Sequence, residues 1–187
     1  SLDFLVVQEI FLTETCYHAD VILPATAWPE KTGTVINTDR MVQLGRQALE
    51  APGDAMPDLW IIQQLAQRLG LDWNYRGPEQ VFEEMRTAMP SIAGITWSRL
   101  DAESCVTYPC LKEGDPGDPV VFIESFPTPS GKARFVPADI IPAAERPDAE
   151  YPLVLITGRQ LEHWHTGAMT RRAGVLDAIE PEATASL

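Results

Sequence analysis

Apolar residues along this chain fall into two spacings, continuous short runs and helical repeats. Phe4-Leu5-Val6-Val7 and Val21-Ile22-Leu23 are continuous runs and read as buried parallel strands. Between them Thr13-Glu14-Thr15 opens a short helical stretch through Ala19, where a Thr hydroxyl can cap exposed amides. Pro24 stops the second run. Strand, helical turn and strand together predict a βαβ-like unit. Glu30-Lys31-Thr32-Gly33-Thr34 is a polar loop, and Val35 to Leu44 predicts a small hairpin around Asn37-Thr38-Asp39. Ala51-Pro52-Gly53-Asp54 is a break.

Leu59, Ile62, Leu65, Ala66 and Leu69 share one face at helical spacing, with Pro57 at the helix start and Gly70 at its exit. A second helix is predicted from Pro78 to Ala88 with Val81, Phe82 and Met85 inward, and a short third over 96–103. Beyond the 113–119 loop, residues 120–123 and 133–136 flank Pro127-Thr128-Pro129-Ser130-Gly131, which predicts a hairpin with a long turn. The Pro-containing, charged Ala143 to Asp148 reads as an interdomain linker. Leu153-Val154-Leu155-Ile156 then starts a new unit as a buried strand. The expected organisation is therefore α/β, with one domain over 1–145 and the start of a β-rich one over 146–187.

At 187 residues and 45% hydrophobic, the chain can bury a sizeable core. Its 27 acidic against 14 basic residues give a net charge of −13, which argues against nucleic acid or an anionic membrane surface as partner. Arg171-Arg172, close to Arg159, is the one candidate basic patch. Cys16, Cys105 and Cys110 follow no zinc or iron–sulfur spacing and read as free thiols in a reducing cytoplasm. There is no apolar run of membrane-spanning length. The first residue is Ser1, and Glu182 to Leu187 carry no stop signal, so the expectation is a piece of a longer chain.

The densest polar cluster follows the last strand, from Thr157 through Gly158, Arg159, Gln160, His163 and His165 to Thr166 and Gly167. A strand running into Thr-Gly-Arg presents amides, a hydroxyl and a forked guanidinium at one loop, which suits an anion such as a pyrophosphate. His163-Trp164-His165 is alternatively a metal pair lacking a third ligand, or a loop with no ligand. Val7 and Gln8 lie at the carboxyl end of the first strand, where ligands of open α/β sheets bind; Gln8 is either a base or ribose partner or a turn residue. Asp58 is a helix-start carboxylate facing the positive end of the dipole. There is no P-loop, GxSxG or GxGxxG. These residues alone stop at a two-unit α/β protein with an anionic-ligand loop.

Four segments in series carry a resemblance that goes further: VQEIFLTETCYHADVILPATAWPEKTGTVINTDRMVQ from Val7, DLWIIQQLAQRLG from Asp58, FPTPSGKARF from Phe126 and EYPLVLITGRQLEHWHTGAMTRR from Glu150. Together they resemble the molybdopterin guanine dinucleotide oxidoreductases, and the last is most similar to formate dehydrogenase catalytic subunits. The resemblance implies a Rossmann-like portion followed by the start of a β-barrel-like, double-psi domain. It implies two pterin guanine dinucleotides around one molybdenum or tungsten, and formate oxidised to carbon dioxide. Electrons would pass to a 4Fe-4S cluster, then through iron–sulfur and flavin subunits to NAD, in the cytoplasm. Val7, Gln8, Ala25 and Asp58 would line one guanosine; the family often has a hydroxyl where Ala25 stands. Thr157, Gly158, Arg159, Gln160, His163, His165 and Thr166 would lie along the pterins and phosphates. The family's metal-ligating Cys or selenocysteine, its neighbouring His and Arg, and the cluster cysteines lie upstream, so no catalytic or metal-ligating residue is expected here and the chain alone should be inert. A nitrate reductase, or the large subunit of respiratory NADH dehydrogenase without the molybdenum cofactor, are the competing readings.

Overall fold

A computed structural model describes residues 2–186, so the expectations attached to Ser1 and Leu187 lie outside the described residues. The chain forms two compact units, one ending at Ser125 and the other beginning at Phe126. Both are described separately. The architecture is mixed α/β.

In the first unit, β1 (Val6–Glu9) and β2 (Val21–Pro24) pair in parallel, from Val6 opposite Val21 to Glu9 opposite Pro24. The connection between them is a 3-10 helix, Glu14–His18, with Cys16 buried beneath it. The chain then bridges in parallel from Ala25 to Met56: Met56 N donates to Pro24 O and Thr26 N to Met56 O, both at 3.1 Å. This bridge sets the start of α1 (Asp58–Arg68) against the carboxyl ends of β1 and β2.

The hairpin expected around Asn37-Thr38-Asp39 is β3 (Gly33–Ile36) with β4 (Met41–Gly45), and β5 (Cys105–Thr107) adds antiparallel to β4. Its turn closes through Arg40, at φ 67°, whose amide donates to Asn37 O. The Arg40 guanidinium also donates to the carbonyls of Tyr108, Asp118 and Pro119, tying down the loop after β5. α2 (Pro78–Ala88) and α3 (Trp97–Glu103) occupy the expected positions. Their apolar sides join Val42 and Val106 in one core of Phe82, Ile92, Ile95, Leu100 and Cys110, with Trp97 edge-on to Phe82 at 6.0 Å. Non-directional burial of this kind is the main favourable term in folding.

Several expectations are corrected. β1 and β2 are parallel but not buried, with Val6, Val21 and Ile22 exposed, and Met85 on α2, expected inward, is exposed. The α1 stripe is covered only in part: Ala66 is buried, Ile62, Leu65 and Leu69 are exposed, and Ile61, outside the stripe, is buried. Periodicity marks which side is apolar, not whether a neighbour is present to cover it. Residues 120–123 and 133–136 form no ladder; a tight turn closes between Phe126 and Gly131 instead. Leu153-Val154-Leu155-Ile156 is likewise not a strand, and all four residues are exposed. A strand exists only where a neighbour accepts its backbone hydrogen bonds, and no described residue pairs with this run.

The second unit holds a 3-10 turn at Thr170–Arg172 followed by α4 (Gly174–Ile179). Arg171 clamps this end, donating to Asp177 at 3.1 Å and to Pro181 O at 3.0 Å. Gly167, at φ 77°, lies against the Arg171 side chain, where an added Cβ would come within 2.9 Å.

Candidate functional site

The first cluster is built at the end of the parallel strand pair. Gln8, on β1, donates from Nε2 to Asp58 Oδ1 at 2.7 Å. The Lys31 ammonium pairs with the other carboxylate oxygen, Oδ2, and donates to Thr26 O at 3.0 Å. Partial burial raises the Asp58 carboxyl. Hydrogen bonds from Lys31 and Gln8, the Lys31 charge and the backbone amide of its own residue outweigh that and hold it below its ordinary 3.8. Asp58 is also the first residue of α1, where the helix dipole favours negative charge. Ala25 is buried in the bridge to Met56, and Val7 is half-buried opposite Ile22. Thr26 is buried, and its hydroxyl has no partner among the described residues. Lys31 and Asp58 also line one wall of an otherwise largely apolar cavity of about 470 Å³ with Leu59, Val81 and Phe82.

The second cluster lies wholly within the second unit. Thr157, Gly158, Arg159, Gln160, His163 and His165 line a predominantly polar cavity of about 620 Å³, closed on another side by Ala183 and Thr184. Nothing stands within 4 Å of the place a Cβ would take on Gly158, so a ligand can approach that main chain closely. The Arg159 guanidinium lies 5.5 Å from the centre of the Trp164 ring, within cation–π range. Trp164 in turn meets His165 edge-on at 4.6 Å. His165 holds φ 52°, a left-handed backbone uncommon outside glycine, so the loop is shaped at this point.

His163 differs from its neighbours. It is buried, with Nε2 at 2.7 Å from Glu180 O and Nδ1 at 3.2 Å from Thr170 Oγ1. A carbonyl only accepts, so Nε2 carries the proton; in the neutral ring Nδ1 then accepts from the Thr170 hydroxyl, which itself accepts from Trp164 N at 3.1 Å. Both ring nitrogens are thus spent on closing the loop. Gln160 makes longer contacts to Glu180 and Glu182 from the same side.

Of the residues singled out in sequence, Gln8, Ala25 and Asp58 converge in one place, with Val7 on the neighbouring strand position. Six of the other seven line one cavity; Thr166 is exposed and does not line it. Sequence reading passed over Lys31 and Trp164. Lys31 sits in a loop read as merely polar, and only the bridge from Ala25 to Met56 brings it to Asp58. Trp164 was quoted inside its motif, but a ring edge-on to His165 and under Arg159 has no linear signature. Among the described residues no group of three or more His, Cys, Asp or Glu is placed to hold a metal.

The geometry defines the class only coarsely: a mixed α/β chain with an amide–carboxylate pair at the end of parallel strands and a Gly-Arg loop over a polar cavity. Comparison with known proteins makes the class specific. Residues 1–68 match the family model described as molybdopterin oxidoreductase, and the chain belongs to that family. It is 47% identical over 174 residues to the F420-dependent formate dehydrogenase subunit alpha of Methanocaldococcus jannaschii, covering 92% of this chain and 26% of that protein. It is 45% identical over 174 residues to the F420-dependent formate dehydrogenase 2 subunit alpha of Methanococcus maripaludis, with the same shares. The chain thus spans about a quarter of the length of these relatives. Among solved structures, acetylene hydratase from Pelobacter acetylenicus overlaps 70% of this chain and 17% of its own at 24% identity and a TM-score of 0.48; the assignment does not rest on it.

Proposed function

We propose that this chain is part of a formate dehydrogenase catalytic subunit and helps bind its bis-molybdopterin guanine dinucleotide. The observation that carries the reading is the 47% identity to a formate dehydrogenase alpha subunit over 92% of the chain. The donor sets fit the group. A guanine edge offers N–H donors, and the Asp58 carboxylate has acceptor positions beyond the two that Gln8 and Lys31 use. Val7 precedes Gln8 on β1, and Ala25 bridges to Met56 just before Asp58. In the second unit Gly158 leaves the main chain open and Arg159 offers a forked donor for phosphate or pterin oxygens. Thr157, Gln160, His165 and Thr166 supply polar neighbours to the same stretch, and His163 shapes it.

When bound, the cofactor supplies the two-electron chemistry that takes formate to carbon dioxide; the residues of this chain hold and orient it. In this reading 1–145 is the guanosine-binding part of a Rossmann-like domain and 146–187 opens a double-psi, barrel-like one. The metal ligand and the 4Fe-4S cluster belong to other parts of the subunit, in a cytoplasmic complex with iron–sulfur and flavin subunits. NAD is the proposed acceptor. The methanogen relatives are F420-dependent enzymes, which favours F420 as a second reading, and turnover assays with each carrier separate the two.

Arg159 provides the test. In the full-length protein, Arg159→Lys keeps the charge and loses the fork, so it lowers molybdenum content and formate turnover; Arg159→Ala lowers both further. Each charge-assisted bond is worth roughly 1.5–3 kcal/mol. Wild-type molybdenum content and turnover in Arg159→Ala would refute the cofactor role of this loop.

A further inference from the structure

We propose that Lys31 is the positioning residue of the guanosine site: anchored on the Thr26 carbonyl, its ammonium pins one carboxylate oxygen of Asp58 while Gln8 pins the other, keeping the carboxylate ionised and aimed at the nucleobase. The inference rests on the guanosine reading of Asp58 given above. It comes from three contacts that no family match assigns. Lys31 Nζ bonds Asp58 Oδ2; the same Nζ donates to Thr26 O at 3.0 Å; Gln8 Nε2 donates to Asp58 Oδ1 at 2.7 Å.

The anchor makes the pairing directional. A lysine ammonium on a long, flexible stem is ordinarily a mobile point charge. Here it is tethered to the carbonyl of a residue whose own amide is bonded to Met56 O, two residues before Asp58. Strand end, lysine and helix start therefore close a ring of short contacts around the carboxylate. The surroundings favour a paired carboxylate. Asp58 and Lys31 line the wall of the largely apolar cavity, where partial burial works against the charged form and the contacts from Lys31 and Gln8 offset it. A protonated Asp58 would present a donor where the guanine edge also presents donors. Among the described residues, Lys31 is the charged partner the structure gives Asp58. The nearby Glu9 and Glu30 turn to the backbone amides of Ile10 and Ala27 instead.

Lys31→Met, Lys31→Arg and Asp58→Asn in the full-length protein test the idea. The readouts are guanine nucleotide released from the purified protein by acid hydrolysis, molybdenum content, and the pH at which preincubation strips the nucleotide. Thermal melting monitors the fold. Asp58→Asn should lose nucleotide at every pH. Lys31→Met should retain it near neutrality better than Asp58→Asn but release it at a higher midpoint pH than wild type, because the neighbouring cation that favours the ionised carboxylate is gone. Lys31→Arg should restore the wild-type midpoint. Full nucleotide in Asp58→Asn would overturn the guanosine reading itself. Loss in Asp58→Asn with a wild-type midpoint in Lys31→Met would overturn the role of Lys31 alone. A pH-independent loss in Lys31→Met that follows a lowered melting temperature and is not rescued by Arg would make Lys31 a structural residue, which also overturns the proposal.

Discussion

Asp58 shows how a single side chain serves fold and site together. Its carboxyl is held below 3.8 by Lys31 and Gln8 against the opposing effect of partial burial. A depressed carboxylate contributes stability that is present above its unfolded pKa and lost as pH falls through the folded one. Both side chains are about a third or more exposed, at 30% and 42%, so solvent screening keeps the pair near the exposed ion-pair range of roughly 0–1 kcal/mol. Asp58→Asn should therefore cost no more than about that at neutral pH, and the difference from wild type should shrink below about pH 4. Thermal melts across pH 7 to about pH 2 measure it. Gly94 is the contrasting case, set by space and not charge. A Cβ there would stand 2.2 Å from Lys112 O and 2.7 Å from Cys110 Sγ, and both neighbours are fixed. Cys110 is fully buried, and its thiol is held by an Arg99 donor at 3.3 Å and by acceptors at Lys112 O and Asp115 O. Gly94→Ala should destabilise by about 1–3 kcal/mol or more, read from urea unfolding.

Among the elements, α3 is short and depends on both its ends and its buried face. The Thr96 hydroxyl accepts from Arg99 N at 3.0 Å, satisfying one of the amides a helix start leaves open. Thr96→Ala should cost about 0.5–2 kcal/mol, the usual range for losing such a cap. Leu100, one turn further on, is fully buried in the core of the first unit. Leu100→Ala should cost about 2–5 kcal/mol, depending on how far β4, β5 and α2 collapse into the space. Denaturant unfolding followed by Trp fluorescence ranks the two, and a Thr96 effect larger than that of Leu100 would contradict the core described here. Sequence periodicity located this helix, α2 and the β3–β4 hairpin because each carries its own turn or cap signal. It located α1 but did not tell which of its apolar residues are covered: Ile62, Leu65 and Leu69 of the stripe are exposed. It also promised strands at 120–123 and 153–156, and neither run is a strand in the folded chain.

On the scale of the whole molecule, the two units differ in how much core they own. The first has a contiguous buried cluster; in the second, His163 and Gly167 are the buried residues between Phe126 and Ser186. Many large apolar side chains lie open, among them Phe135, Ile140, Leu155 and Ile156. No helix among the described residues is long and apolar enough to cross a membrane. Among the described residues no group of three or more His, Cys, Asp or Glu is placed to hold a metal. Purified on its own, we expect it to oxidise no formate and to carry no stoichiometric iron or molybdenum. Metal analysis and a formate assay check this, and a stoichiometric metal would contradict the proposed division of labour with the rest of the subunit.

The sequence by itself determined the local elements and the candidates: the parallel pair, the hairpin, three helices, and the polar run from Thr157 to Thr166. It could do so because turn chemistry, caps and apolar spacing act over a few residues and leave a linear trace. Its motifs also carried the family. Tertiary structure decided which of those residues meet. Gln8, Lys31 and Asp58 are brought together by a backbone bridge between Ala25 and Met56, and no spacing encodes that bridge. The same holds for His163, which lines the cavity while its nitrogens meet Thr170 and Glu180, partners 7 and 17 residues away that no local pattern names. Burial and hydrogen-bond partnership belong to pairs of groups distant in sequence, and the chain reveals them only when it is folded.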